Sequence, residues 1–147
     1  MSALPVRDAS TRRRPRRRAK VLVAEDHEDT RFLLRTLLER RGYAVVEAAD
    51  GLEACEVAAR ERPDLILMDG GLPRLDGVAT TRRLRGLEEL ARVPIVFLTG
   101  HAGPQHQLAA RAAGCDEYVV KPFELARLYQ ILNRLLPARG ARRNEGV

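Results

Sequence analysis

Four of the short apolar runs in this sequence end in side chains that can bind a cation or react with a phosphoryl group. The set comprises three acids, one hydroxyl and one ammonium. In chain order the residues are Glu25 and Asp26 after residues 21–24, Asp69 after 65–68, Thr99 after 94–98 and Lys121 after 118–120. Functional groups placed so regularly at the ends of apolar runs indicate a shared site.

The chemistry available to this set is magnesium-dependent transfer of a phosphoryl group. Three converging carboxylates would repel one another, and their oxygens are the ligands that Mg²⁺ prefers. The Thr99 hydroxyl and the Lys121 ammonium can then neutralise phosphoryl oxygens during transfer. A carboxylate can itself accept the phosphoryl group as an acyl phosphate. Asp69 is the predicted acceptor because it directly follows the third, central run.

Lysine is rare in this chain, which makes its positions informative. Of the 26 basic residues, only Lys20 and Lys121 are lysine. A compact ammonium on a flexible stem behaves differently from a planar guanidinium. The use of lysine at position 121 therefore favours a role for its ammonium in the site.

The elements that must position these side chains are five short strands and the helices between them. Continuous apolar runs are typical of strands buried on both faces, and helices are expected between capping Asp residues and a following Gly or Pro. Asp29 and Asp50 are the predicted caps of the first two helices. The predicted strands are 21–24, 44–46, 65–68, 94–98 and 118–120, and the predicted helices are 29–42, 50–62, 77–87, 104–113 and 124–136.

Five alternating β–α units predict an α/β fold with a doubly wound parallel sheet and helices on both faces. Right-handed crossovers bring the carboxyl end of every strand to one edge of such a sheet. Ligands bind at that edge, where the strand order reverses. If the order reverses between the first and third strands, Glu25, Asp26 and Asp69 become neighbours.

Charge is distributed unevenly along the 147 residues. The net charge is +6, but residues 1–20 carry eight basic and one acidic residue, and residues 138–147 carry three Arg and one Glu. Residues 21–137 carry 15 basic and 18 acidic residues. We therefore predict a disordered Arg-rich tail at 1–19, one mildly acidic domain at 20–137 and a flexible tail at 138–147.

The composition also predicts a cytoplasmic protein. No apolar stretch approaches the ~20 residues that a membrane-spanning helix needs, and the basic N-terminal run lacks the features of a secretory signal. Cys55 and Cys115 lie far apart without the spacing of a metal site, so we expect two reduced thiols.

The acidic and basic motifs together resemble the receiver domain of bacterial response regulators. The similar stretches are 21–26, 63–69, 72–77, 94–100 and 114–123, within a region that covers about residues 20–137. Pro73 and Gly77 lie four and eight residues after Asp69, as in that family. The resemblance implies a CheY-like, flavodoxin-like fold with strand order 2-1-3-4-5.

The resemblance implies a phosphoacceptor rather than a turnover enzyme. Asp69 would take a phosphoryl group from a phosphohistidine of a sensor histidine kinase or a histidine phosphotransfer protein. Asp26, Asp69 and the backbone carbonyl of Gly71 would bind Mg²⁺ directly, and Glu25 would act through water. Hydrolysis of the acyl phosphate by an in-line water would reset the domain.

The resemblance also implies a switch. Thr99 and Lys121 would contact the phosphoryl oxygens, and the Lys121–Pro122 peptide bond would be cis. As Thr99 moves toward the phosphoryl group, Tyr118 would turn inward and alter the surface of helix four, strand five and helix five. Because no output domain follows in the chain, we expect signalling to pass to a separate effector through that surface.

Three features depart from the commonest family pattern or vary within it. The acidic pair is Glu25-Asp26 rather than two Asp residues. Gly70 and Gly71 leave the loop after the acceptor without side chains, and His101 lies two residues after Thr99. These positions are expected to influence the lifetime of the phosphoryl group.

Three other functions compete with this interpretation. A phosphatase of the haloacid-dehalogenase type would need an Asp where Gly71 stands. The Arg-rich tail could bind nucleic acid through sequence-independent contacts with phosphates, which a titration with and without residues 1–19 would test. A receiver-like domain that binds partners without phosphorylation is the third alternative, and the complete set of acids, hydroxyl and lysine argues against it.

Overall fold

A computed structural model of the protein describes residues 18–136. The predicted tails at 1–19 and 138–147 therefore lie outside the described residues, apart from Arg18 and Ala19. Within 18–136, none of the helices combines the length and apolar character needed to cross a membrane.

The described residues form five strands and five α-helices in strict alternation, as predicted. The strands are β1 (Lys20–Ala24), β2 (Ala44–Ala48), β3 (Leu65–Asp69), β4 (Ile95–Thr99) and β5 (Glu117–Val120). The helices are α1 (Glu28–Arg40), α2 (Gly51–Glu61), α3 (Gly77–Arg85), α4 (Pro104–Ala113) and α5 (Leu125–Leu135). A short 3₁₀ helix at Glu88–Leu90 follows α3.

The strands of the described region pair in the order β2-β1-β3-β4-β5, and every pair is parallel. β1 lies between β2 and β3, since Val21 pairs with Val45 of β2 and with Leu65 of β3. The strand order reverses between β1 and β3, so the acidic ends of these two strands are adjacent. The predicted doubly wound sheet and its strand order are confirmed.

Two apolar layers cover the sheet because successive strand residues point to opposite faces. On one face Val23, Leu67 and Leu98 belong to a buried cluster with Leu38 of α1 and Leu132 of α5. The other face carries a second cluster that includes residues of α2, α3 and α4. Burial on both faces explains the continuous apolar runs of the inner strands β1, β3 and β4.

Two of the five described α-helices, α2 and α3, begin at a capping Asp, and α1 begins beside the acidic turn after β1. The Asp50 carboxylate accepts a hydrogen bond from the Glu53 N–H at 2.8 Å, and Asp76 accepts from the Ala79 N–H at 2.9 Å. The predicted start of α1 at Asp29 is wrong, because the cap position is His27. The His27 N–H donates to Glu25 at 3.0 Å, and the helix begins two residues earlier than the sequence pattern indicates.

Removing a buried leucine from α5 should destabilise the fold far more than removing an exposed one from α4. Leu132 is 0% exposed and Leu108 is 69% exposed. Leu132→Ala is expected to lower the free energy of unfolding by about 3 kcal/mol, through lost apolar burial and a residual cavity. Leu108→Ala should change it by less than about 0.5 kcal/mol. Urea unfolding followed by circular dichroism measures both, and equal losses would contradict the assigned core.

Candidate functional site

The Glu25 carboxylate is buried at the carboxyl end of β1, where both of its oxygens have partners. Its side chain is 3% exposed, and Oε1 lies 3.3 Å from the Lys121 ammonium. Oε2 accepts from the His27 N–H at 3.0 Å and lies 3.1 Å from His27 Nδ1. Burial alone would raise the pKa of Glu25, but the His27 N–H and the Lys121 charge outweigh burial and lower it. Glu25 is therefore held as a carboxylate.

Asp26 follows on the exposed side of the same turn. One ligand atom from each of Glu25, Asp26 and His27 lies within 4.8 Å of the others, a spacing that can hold a metal ion. The turn is fixed from behind by Arg31, whose guanidinium donates to the Glu25 carbonyl at 2.9 Å and to Glu47 of β2 at 2.8 Å. These contacts of Arg31 fix the backbone next to Asp26 and so limit where its carboxylate can lie.

Asp69 ends β3 and is half-buried at the same edge of the sheet. Its Oδ1 accepts a hydrogen bond from the Gly71 N–H at 3.1 Å. Burial raises the pKa of Asp69, the Gly71 N–H opposes that rise, and the charge of Glu25 adds to it. The charges of Lys121 and Asp26 also act on this pKa, in opposite directions. The site carries more negative charge than Lys121 neutralises, which suits a divalent cation with oxygen ligands.

Thr99 and Lys121 are joined at the ends of β4 and β5. The Lys121 N–H donates to the Thr99 carbonyl at 2.7 Å, and the Lys121–Pro122 bond is cis, as expected from the sequence. The Thr99 side chain is buried, and its hydroxyl oxygen accepts from the His101 N–H at 3.2 Å. The hydroxyl therefore already has a backbone partner in the β4–α4 loop.

Tyr118 lies inward in this structure. Its ring is buried and stacks on Phe97, with the ring centroids 5.8 Å apart. Its hydroxyl donates to the His101 carbonyl at 2.7 Å. The backbone of His101 thus connects Thr99 to Tyr118, a link that motif spacing did not reveal.

Gly70 makes room for Thr99. A Cβ atom at position 70 would lie 3.0 Å from the Thr99 hydroxyl oxygen and 3.2 Å from Thr99 Cβ. At Gly71 an added Cβ would meet nothing within 4 Å. The two glycines therefore differ: the first accommodates a neighbouring side chain, and the second borders open space.

The tertiary structure brings the predicted residues of the site to one edge of the sheet. Glu25 and Lys121, which are 96 residues apart in sequence, are in direct contact. Sequence reasoning missed His27 and Arg31, which hold Glu25 by its side chain and its carbonyl. The position of His27 beside the acidic pair was a usable signal, whereas nothing local to Arg31 indicates its contact.

Replacing the Asp69 carboxylate with an amide should stabilise the protein in the presence of a chelator. Because burial raises the pKa of Asp69 above the ordinary value for an aspartate, the folded state disfavours the charged carboxylate. Asp69→Asn is expected to have a larger free energy of unfolding than the wild type at about pH 7. The difference should shrink as pH falls through the folded pKa, because the wild type then gains stability by binding a proton.

Urea unfolding at several pH values measures this difference. Asp29→Asn, an exposed acid in the first turn of α1, is the matched control and should give no gain in stability. If the wild type and Asp69→Asn had the same free energy of unfolding at neutral pH, the raised pKa of Asp69 would be contradicted.

Comparison with known proteins agrees with this geometry. Residues 21–133 match the family model for the response regulator receiver domain. The polar-differentiation response regulator DivK of Brucella anthropi is 35% identical over 116 residues, which cover 79% of this chain and 94% of that protein.

Solved structures show the same architecture. The receiver domain of sensor histidine kinase PA1611 from Pseudomonas aeruginosa, a structure with a magnesium ion coordinated in its active site cleft, has a TM-score of 0.75 and 39% identity. That match covers 81% of this chain and 98% of the other. The Vibrio cholerae chemotaxis protein CheY4 has a TM-score of 0.78 and 32% identity, and covers 82% of this chain and 100% of its own. This chain therefore belongs to the response regulator receiver domain family.

Proposed function

We propose that Asp69 accepts a phosphoryl group from a phosphohistidine in a magnesium-dependent reaction, and that the phosphorylated domain signals to a partner protein. The phosphohistidine would belong to a sensor histidine kinase or a histidine phosphotransfer protein. The observation that carries the proposal is the half-buried Asp69 carboxylate at the carboxyl edge of the sheet, under the charges of Glu25, Asp26 and Lys121. The chain would act as a phosphoacceptor rather than as a turnover enzyme.

The residues present fit a bound Mg²⁺. Asp26, Asp69 and the carbonyl of Gly71 would supply its direct oxygen ligands, and Asp26 and Gly71 are exposed enough to leave room for water. Glu25 would act through water, since both of its oxygens are already engaged by Lys121 and His27. When bound, Mg²⁺ would supply positive charge against the phosphoryl oxygens.

The transfer step would proceed at the Asp69 carboxylate. A carboxylate oxygen attacks phosphorus, the phosphorus–nitrogen bond to the donor imidazole breaks, and that imidazole keeps the electron pair and takes up a proton. The Lys121 ammonium and the Thr99 hydroxyl would stabilise the charge on the phosphoryl oxygens. In the reset step, water attacks phosphorus, the bond to Asp69 breaks, and inorganic phosphate leaves.

The donor would dock on an apolar groove beside this site. The groove has a volume of about 360 Å³ and contains Lys121. Its other lining residues are Thr30, Leu33, Leu34 and Leu37 of α1, Leu98 of β4, and Phe123 and Leu125 at the start of α5. On α1, Leu33 lines the groove and is 56% exposed, and its neighbour Phe32 is 68% exposed. Adjacent exposed apolar side chains beside an apolar groove form a patch that a partner would cover.

The effector would bind the surface formed by α4, β5 and α5. In support of this surface, the His101 backbone touches both Thr99 and Tyr118. A shift of the Thr99 hydroxyl toward a phosphoryl group would give up its bond from the His101 N–H. The change would reach Tyr118 through the His101 carbonyl and alter the adjoining α4 surface.

The cytoplasmic location and the role of the Arg-rich tail stay predictions. The described Cys55 and Cys115 are free thiols, which is compatible with a reducing compartment. Residues 1–17 lie outside the described range, so nucleic-acid binding depends on the titration proposed above.

A small phosphodonor provides the direct test of the acceptor. Incubation with acetyl phosphate and Mg²⁺ should add one phosphoryl group of about 80 Da, seen by intact mass spectrometry, because the site carries its own electrostatic catalysts. Asp69→Asn should show no gain, and Lys121→Ala should slow labelling by roughly 100-fold or more. EDTA should abolish it.

The outcomes also separate the competing functions. An unmodified wild type under these conditions would favour a receiver-like domain that binds partners without phosphorylation. Continuous release of phosphate from many equivalents of a phosphate ester would favour a phosphatase.

A polar side chain in the groove should impair transfer from a protein donor but not from acetyl phosphate. Leu33→Asn is expected to slow transfer from a phosphorylated histidine phosphotransfer protein of the same organism by about 10-fold, as an interface contact of 1–2 kcal/mol is lost. Leu108→Asn is the control, since Leu108 lies on α4 outside the groove and is more exposed than Leu33, and this variant should transfer at the wild-type rate. If both variants transferred at the same rate, the groove would not be the docking surface for the donor.

A further inference from the structure

The loop between β3 and α3, residues 70–76, rests on the first residue of α2. The Gly51 N–H donates to the Pro73 carbonyl at 3.3 Å. One position earlier, Asp50 lies 3.5 Å from the Arg74 guanidinium. Arg74 has a φ of 68°, a left-handed conformation that residues other than glycine rarely adopt. The loop is therefore positioned by contacts outside the site.

The closest of these contacts is between Gly51 and the Leu75 carbonyl. A Cβ atom at position 51 would lie 1.8 Å from Leu75 O and 2.4 Å from the Thr80 hydroxyl oxygen. The Thr80 hydroxyl in turn donates to Leu75 O at 3.0 Å. Gly51 and Thr80 are both buried. We call these three residues, Gly51, Leu75 and Thr80, the Leu75 clamp.

The overlap at Gly51 cannot be relieved by rotating a side chain, because the nearest atom is a backbone carbonyl oxygen. Either the loop or the start of α2 must move. The loop is short, and its other end is fixed where the Gly77 N–H donates to the Gly70 carbonyl at 3.2 Å. A displacement at Leu75 therefore reaches Gly71, whose N–H bonds to the Asp69 carboxylate.

We propose that Gly51 and Thr80 are positioning residues for the phosphoacceptor site: the Leu75 clamp sets the path of loop 70–76 and so holds Gly71 against Asp69. Neither residue contacts the phosphoryl group. The inference rests on the proposed function, because the Gly71 carbonyl serves as a magnesium ligand only there. The Gly71 N–H bond to Asp69 makes it testable separately.

Gly51→Ala and Gly86→Ala form a matched pair of variants. An added Cβ at Gly86 would meet its nearest atom, the Arg83 carbonyl oxygen, at 3.4 Å, which is ordinary contact. Amide NMR titration with Mg²⁺ should show an affinity about 10-fold weaker for Gly51→Ala, the loss typical of a changed outer-shell contact. The Gly86→Ala affinity should equal that of the wild type.

Thr80→Val and Thr81→Val form a second pair, which decides the question if Gly51→Ala does not fold. Both threonines are 0% exposed, but the Thr81 hydroxyl donates to the Gly77 carbonyl at 2.8 Å within its own helix. Thr80→Val should weaken Mg²⁺ binding by about fivefold, as one hydrogen bond to the loop is lost. Thr81→Val should bind Mg²⁺ as tightly as the wild type does, although both variants should lose similar thermal stability.

The Gly71 amide provides a readout that does not depend on the metal. In EDTA, its chemical shift and hydrogen exchange rate should change in Gly51→Ala and Thr80→Val and stay unchanged in the two controls. Folded clamp variants with wild-type Mg²⁺ affinity and an unchanged Gly71 amide would overturn the inference. A wild type that does not bind Mg²⁺ would instead overturn the proposed function, and the Gly71 amide would then decide whether the clamp positions the loop.

Discussion

The contact between the Glu25 carboxylate and the Lys121 ammonium, 3.3 Å apart, is the interaction on which the site depends. It crosses the sheet edge from β1 to the residue after β5, so it requires every strand in between to be in place. Burying a carboxylate is costly unless it is paired, and the partly exposed Lys121 ammonium supplies the partner for the buried Glu25. Burial raises the pKa of Asp69, and the Gly71 N–H and the Lys121 charge offset only part of that rise. The fold thus pairs Glu25 with Lys121 and leaves Asp26 and Asp69 available to bind a cation and to accept a phosphoryl group.

Around this contact, strands place the reactive groups and neighbouring elements fix the loops that carry them. Arg31 holds the turn after β1 through the Glu25 carbonyl, and Gly51 meets the loop after β3 at the Leu75 carbonyl. In both cases the point of attachment is a backbone carbonyl. Attachment to backbone determines the path of a loop whatever side chains it bears, so the acceptor loop can contain two adjacent glycines and still keep its shape.

The path from the site to the surface of α4 and β5 consists of a few direct contacts. The Thr99 hydroxyl, the backbone of His101 and the Tyr118 hydroxyl form a continuous chain of hydrogen bonds, with distances of 3.2 and 2.7 Å. The His101 ring also stacks on His106 in the first turn of α4, with the centroids 4.5 Å apart. Gly70 leaves the space into which the Thr99 side chain fits. A change at the acceptor can therefore be transmitted to α4 through the contacts of Thr99, His101 and His106.

The sequence by itself determined the elements and the identity of the reactive set, because these depend on local patterns. Apolar runs specify buried strands, Asp50 caps its helix, and acids, hydroxyl and lysine at strand ends must share one edge of a parallel sheet. The start of α1 was misplaced because its cap depends on Glu25 rather than on Asp29. Only the tertiary structure decided that Glu25 binds both Lys121 and His27, that Tyr118 lies inward and that Gly51 meets Leu75. Such contacts join residues far apart in sequence, and their distances follow from strand order and helix packing, which no local pattern encodes.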